Sequence, residues 1–200
     1  YFLICGVLVM WMAAGFTMLE AGSVRSKNTI EILLKNIALY SVASLTFLVV
    51  GYAIMYGWND IPTHSLHADF FFQVVFVATA MSVVSGAVAE RKKLWTFLLF
   101  AAIFTAVIYP IQGSWSWGGG WLSERGFFDF AGSGIVHMAG AAAALAGVLI
   151  LGARRGKYTK DGKPRNIQGA NAAQVALGTL ILWMGWFGFN GGSQLAIDGI

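Results

Sequence analysis

Residues 129–151 read DFAGSGIVHMAGAAAALAGVLIL. From Gly134 onward the run is apolar apart from His137, and its length approaches the roughly 20 residues that a helix needs to cross about 30 Å of hydrocarbon. A helix on the surface of a soluble domain would carry a polar face at a period of 3.6 residues, and this segment has none. Gly134, Ala141, Ala144 and Gly147 instead fall at helical spacing around the imidazole, the small-residue pattern that lets membrane helices approach closely. A histidine on such a helix faces protein or a pore, because lipid offers its ring nitrogens no partner. It is then either a packing histidine bonded to a neighbouring helix or a group lining a path.

Working outward, the same reading applies to most of the chain. The 200 residues are 58% hydrophobic and 11% charged, and the mean hydropathy of +0.69 lies outside the range of soluble domains. Five further apolar runs, at 1–21, 32–56, 70–89, 94–111 and 173–192, accompany 134–151. They predict an all-α, polytopic membrane helix bundle forming one domain over 1–200, with no linker or low-complexity tract. The second run contains Lys35 one turn from its start, where a long side chain is expected to snorkel to the interface.

A formal net charge of +4 raises the question of a nucleic-acid partner, and the placement of the charges argues against one. Arg25 and Lys27 follow the first run, Arg91, Lys92 and Lys93 the third, and the six basic residues of ARRGKYTKDGKPR the fifth. The intervening loops hold Asp60, Asp69, Glu124, Asp129 and Asp198 against Arg125 alone. The positive-inside rule therefore predicts an outside N-terminus and cytoplasmic basic loops facing anionic lipid. Cys5 is the sole cysteine, so no intrachain disulfide forms.

Two loops, SVRSKNT and ERKK, are short, while QGSWSWGGGWLSERGFFDFAGSG at 112–134 is a longer outer segment rich in Trp and Gly that can wrap a vestibule. WMAAGFTMLEAGS at 11–23 echoes WMGWFGFNGGS at 183–193 with a gap of two, and the helices carrying them run in opposite directions across the membrane. That is the arrangement of an inverted-repeat transporter fold whose second half begins at the sixth helix. Because Tyr1 opens in mid-helix, the chain is expected to be a piece of a longer one, cut after helix six.

Chemistry-bearing groups are few. Phe72 and Phe76 share one face of helix three, with Gln73 beside them, and Phe189 and Ser193 share one face of helix six. Trp115, Trp117 and Trp121 are either interface anchors or part of an aromatic mouth that attracts a small cation through its π faces. His64 and His67 have i, i+3 spacing but lie in an outer loop with no third ligand, so no metal or other cofactor is expected. AGSGI precedes a membrane helix rather than following a strand, which removes the dinucleotide-loop reading. Asp129 near His137 has no accompanying nucleophile or metal, so an enzyme is not expected either.

GFTMLEAGSVRSKNT at 15–29, GAVAERKKL at 86–94, DFAGSGIVHMAG at 129–140 and GWFGFNGGS at 185–193 resemble signature segments of the Amt/Mep/Rh ammonium transporters, closer to the plant-type and bacterial Amt branch than to Rh. The resemblance runs through almost the whole chain and implies the first six of about eleven transmembrane helices of a homotrimer, each subunit with its own pore. It implies that Trp117, Ser193, Phe76 and Phe72 form an outer recruitment site for ammonium or methylammonium, and that Phe76 and Phe189 are the paired rings gating the pore. It further implies that His137 is the first of two pore histidines, relaying a proton or ammonia, and that Asp129 supports the site structurally and electrostatically. The second pore histidine belongs to a later helix of the family and has no counterpart here. Some Amt-like domains are instead ammonium receptors fused to a cytoplasmic signalling module, while transporters of the family are often gated by a PII-type protein. The resemblance implies ammonium binding in either case.

Overall fold

The structure, a computed structural model, describes residues 1–58 and 64–197. Six helices in it are long and apolar enough to cross a membrane: α1 (Phe2–Ser23), α2 (Ser26–Met55), α3 (Leu66–Ala87), α4 (Leu94–Ser114), α5 (Ser133–Leu151) and α6 (Ala172–Gly192). Among the described residues the only β-type pairing is a single antiparallel bridge, Tyr158 to Pro164. Each predicted run is therefore a helix, with ends displaced by up to several residues where capping and loop contacts decide them. Asp60 and Asp198, counted among the outer charges, lie outside the described residues.

The helices pack around α3, whose segment from Val74 to Met81 is buried on every side. α1 packs most extensively against α6, and the two run antiparallel, with Gly22 against Asn171, Gly15 against Gly178 and Gly188 against Cys5. The approach is backbone to backbone: a Cβ on Gly178 would lie 2.6 Å from the Gly15 carbonyl oxygen, and one on Gly188 2.5 Å from that of Cys5. Gly140 plays the same part between α5 and α3, its missing Cβ falling 2.6 Å from the Ala80 carbonyl oxygen.

The basic loops gather at one end of the bundle, which the charge rule makes cytoplasmic. Glu90, in the left-handed region at φ 62°, ties three of them together. Its Oε1 accepts from Arg25 Nε at 2.9 Å, the Arg25 backbone N–H at 3.1 Å and Asn28, and its Oε2 accepts from Arg154 at 3.0 Å. Burial would raise this carboxyl, but the donors from Arg25, Asn28 and Arg154 outweigh it and hold it at about 2. Nearby, Lys92 Nζ makes no hydrogen bond, sits 4.0 Å over the Phe97 ring, and is lowered to about 8 by burial and by the charge of Lys35.

Three sequence expectations are corrected. Lys35 does not snorkel: α2 begins upstream at Ser26, so Lys35 is too deep to reach the interface and is fully buried in an ion pair with Glu20 at 2.5 Å. Asp69 belongs to the first turn of α3 rather than a loop, and accepts a 2.6 Å hydrogen bond from Tyr52. His67 also lies in α3, leaving only His64 before the helix, with Nε2 3.4 Å from Asp69 Oδ1.

Candidate functional site

At the end of the bundle opposite the basic loops, α3, α5, α6 and the segment after α4 bring four rings into a continuous series. Trp117 meets Phe76 edge-on with centroids 5.9 Å apart. Phe76 lies 4.3 Å from Phe189, and Phe189 lies 5.4 Å from the imidazole of His137. Phe72 buttresses the series one turn along α3, T-shaped on Phe76 at 4.7 Å. Phe72, Phe76 and Phe189 are all but fully buried, and the Phe76 and Phe189 rings, tilted by 50° to one another, lie between Trp117 and His137. Such offset and edge geometries match the quadrupoles of the rings.

The backbone of α6 makes room for this arrangement. A Cβ on Gly192 would come within 2.6 Å of the Phe72 ring, so glycine is what allows Phe72 to seat there. Ser193 follows directly, and its Oγ donates to the Phe189 carbonyl oxygen at 2.7 Å. A hydroxyl has one proton and two lone pairs. With the proton committed to Phe189, what Ser193 has left to offer a guest is an acceptor.

His137 is carried by a π-helical turn, Ser133–Met138, that opens α5. Such a turn widens the helix locally and re-aims the side chains on it, which is why π-turns recur at functional sites. Its entry is fixed by Gly132, at φ 93°, whose missing Cβ would fall 2.5 Å from a Val136 methyl group and 3.1 Å from the Trp117 ring. Asp129 then holds the turn. Its Oδ1 accepts from the backbone N–H groups of Gly132 and Ser133, each at 2.9 Å, and its Oδ2 accepts from those of Gly134 at 2.9 Å and Ile135 at 2.8 Å. These are the unpaired donors at a helix N-terminus, where a carboxylate is doubly favoured by hydrogen bonding and by the helix dipole. The Asp129 carbonyl oxygen in turn accepts from Trp117 Nε1 at 2.7 Å. One residue thus fixes both the outermost ring and the imidazole-bearing turn, with its carboxylate turned inward on the backbone.

All seven sequence-derived candidates lie at this end of the molecule. Trp117, Phe76, Phe189 and His137 touch in series, with Phe72 packed on Phe76; Asp129 supports them from behind; Ser193 sits at the close of α6, beside the glycine that seats Phe72. Trp186 was missed: its ring stacks on His137 at 6.3 Å with 23° between the planes. The available signal was its position one helical turn before Phe189. No cluster of three or more metal-ligating side chains occurs among the described residues.

A family model described as the Ammonium Transporter Family matches residues 1–200. The chain is 48% identical over 221 residues to ammonium transporter Amt2 of Archaeoglobus fulgidus, covering 97% of this chain and 47% of that protein. It is 42% identical over 218 residues to a putative ammonium transporter of Synechocystis sp., covering 100% and 49%. Among solved structures, a sensor Amt protein superposes with a TM-score of 0.93 at 38% identity, over 98% of this chain and 54% of that one. The chain spans about half the length of the curated relatives it matches.

Proposed function

Because the chain belongs to the ammonium transporter family, we propose that it forms part of a conduit that recruits ammonium at Trp117, Phe76, Phe72 and Ser193, strips its proton, and passes ammonia behind the Phe76–Phe189 gate along a path lined by His137. The observation that carries this reading is the unbroken contact series Trp117, Phe76, Phe189, His137, running from an aromatic mouth to a lone imidazole.

The chemistry follows from what each part can do. Ammonium and potassium are monovalent cations of similar size, so π faces alone separate them poorly. The acceptor left on Ser193 adds a hydrogen bond that only an N–H donor can use. Behind it, two buried phenylalanines present no group to solvate an ion, and moving a bare charge into such surroundings costs several kcal/mol or more. Neutral ammonia crosses the same layer at little cost. An ion that can shed a proton therefore passes, and one that cannot is turned back. A neutral imidazole beyond the gate has one donor and one acceptor nitrogen, enough to accept from ammonia or to hand on the released proton. Asp129 contributes by position, since its carboxylate is occupied by four backbone donors. The working unit is a homotrimer in the cell membrane, open to a PII-type regulator on its cytoplasmic face.

The likeness to a sensor Amt protein favours a second reading, in which the same aromatic site binds ammonium and signals through a fused cytoplasmic module. Uptake of labelled methylammonium by cells or liposomes containing the full-length protein separates the two. Saturable uptake supports conduction, and saturable binding without uptake supports the receptor.

A further inference from the structure

A carboxylate and an imidazole stand beside the aromatic mouth without belonging to it. Asp69, in the first turn of α3, accepts from the Tyr52 hydroxyl through Oδ2 at 2.6 Å and faces His64 Nε2 through Oδ1 at 3.4 Å. The His64 ring lies 4.3 Å from that of Phe2, with 33° between the planes. Phe2, at the outer end of α1, meets Phe72 edge-on at 5.5 Å, and Phe72 is T-shaped on Phe76 at 4.7 Å. Asp69 and Phe72 are three residues apart on α3 and share one face, so the contacts close a circuit from Asp69 through His64 and Phe2 to Phe72. Both ionisable side chains keep access to water, with 16% of His64 and 10% of Asp69 exposed.

Histidine is the side chain whose charge changes in the range pH 5 to 8. While His64 is neutral, the pair carries the single negative charge of Asp69; once His64 is protonated, the pair sums to zero. A carboxylate one helical turn from Phe72 attracts a cation held at the Phe72, Phe76 and Trp117 rings, and a neutral pair does not. Phe2 and Phe72 are only 8% and 2% exposed, so packing already fixes both rings and protonation acts through charge rather than position. Three other titratable groups stand around His64. Tyr52 reaches it through Asp69, Tyr1 lies across Phe2 at 5.7 Å with its hydroxyl donating to the Gly191 carbonyl oxygen, and His67, one turn along α3, is exposed to solvent screening.

We propose that Asp69 supplies an electrostatic attraction that draws ammonium to the outer rings, and that His64 switches it with outer pH, leaving the charge on the mouth when neutral and cancelling it when protonated. The inference rests on the reading that ammonium is recruited at these rings, and it names what regulates them. Neither residue touches the cation; both act through the field at Phe72. His64 stands no further from the Phe72 ring than the two centroid distances laid end to end. At a separation on the order of 10 Å, one unit charge changes an affinity about two- to tenfold at effective dielectrics between those of water and of a protein surface. Linkage makes the effect reciprocal, so a bound cation disfavours protonation of His64 by the same factor.

The test is saturable binding of labelled methylammonium, beside its uptake, by the full-length protein in liposomes at outer pH values across the imidazole range, where the amine itself stays protonated. In the wild-type protein the Kd should rise about two- to tenfold from the alkaline to the acidic end of that range, and the rise should shrink as sodium chloride is raised. His64→Gln should keep the tight Kd at the acidic end, and His64→Lys, with a fixed charge, should show the weak Kd at the alkaline end. The two variants move in opposite directions, which loss of folding cannot imitate. Their maximal uptake at each pH should match that of the wild-type protein, and His67→Gln should keep the wild-type pH profile. Binding that ignores pH in the wild-type protein, or the same pH profile in His64→Gln, would overturn the inference and leave the recruitment reading standing. Absence of saturable binding at every pH would overturn both.

Discussion

Replacing Asp129 with asparagine separates a structural role for this carboxylate from direct contact with a cation. In the native structure two of its four backbone donors, Gly132 and Ile135, are buried, one on each oxygen, while those of Ser133 and Gly134 are partly open to water. Asparagine keeps one oxygen and replaces the other with an amide group that itself donates. Whichever way the amide turns, one buried backbone N–H faces another donor. Losing a charge-assisted hydrogen bond and stranding its buried partner costs roughly 1.5–3 kcal/mol, and the lost charge at a helix N-terminus adds about 0.3–1 kcal/mol, so Asp129→Asn should cost roughly 2–4 kcal/mol. The strain falls on the π-turn carrying His137 and on the anchor of Trp117, so stability and ammonium handling should fall together. The assay is thermal unfolding of the full-length protein in detergent, run beside methylammonium uptake. An Asp129→Asn protein with wild-type melting but no uptake would refute the argument and make the carboxylate a direct partner of the cation.

Other changes test the buried charges. Lys35→Met leaves Glu20 as an unpaired buried carboxylate and should destabilise by about 3–5 kcal/mol, whereas Lys35→Met with Glu20→Leu should recover most of that loss in the same unfolding assay. Lys92 has a folded-state pKa near 8, below its ordinary 10.5, so its charged form is disfavoured in the fold. Stability should accordingly rise between about pH 8 and 10.5, and Lys92→Met should raise the melting temperature at pH 7, by an amount reflecting about 3 kcal/mol, with less gain at pH 10. Glu90 has the opposite sign. Held at about 2 against an ordinary 4.5, it contributes about 3 kcal/mol that is fully present above pH 4.5 and is lost as pH falls toward 2. Glu90→Gln should remove that acid sensitivity, read as protease cleavage of the loop after α5 between pH 3 and 6.

The membrane helices were legible because length and hydropathy act locally: each run needs only its own residues to declare itself. The antiparallel seam of α1 on α6 was foreshadowed by their glycine-rich echo. Contacts set by distant chain segments were not legible. Glu20 and Lys35 are separated by a loop, and nothing in either segment says that Oε2 and Nζ meet. Lys35 lies deeper than its place in the apolar run suggests, because the 3₁₀ turn Ser26–Asn28 already begins the helix ahead of that run. The site residues Trp117, Phe76, Phe189 and His137 could be named from motif resemblance, but their order in space came from packing, and Trp186 joins them through stacking that spacing alone does not reveal. The π-turn under His137 has no sequence signature apart from Gly132, whose positive φ opens it.

The central claim is that ammonium gives up its proton at the aromatic layer, that ammonia passes behind it, and that His137 hands the released proton on along the same path, so that one net charge crosses per ammonium. It is tested most directly by electrogenic current from liposomes holding the full-length protein, on steps of ammonium chloride against potassium chloride. The account predicts a current with ammonium and none with potassium, and loss of the ammonium current in a folded His137→Leu variant. An undiminished ammonium current in that variant would contradict it.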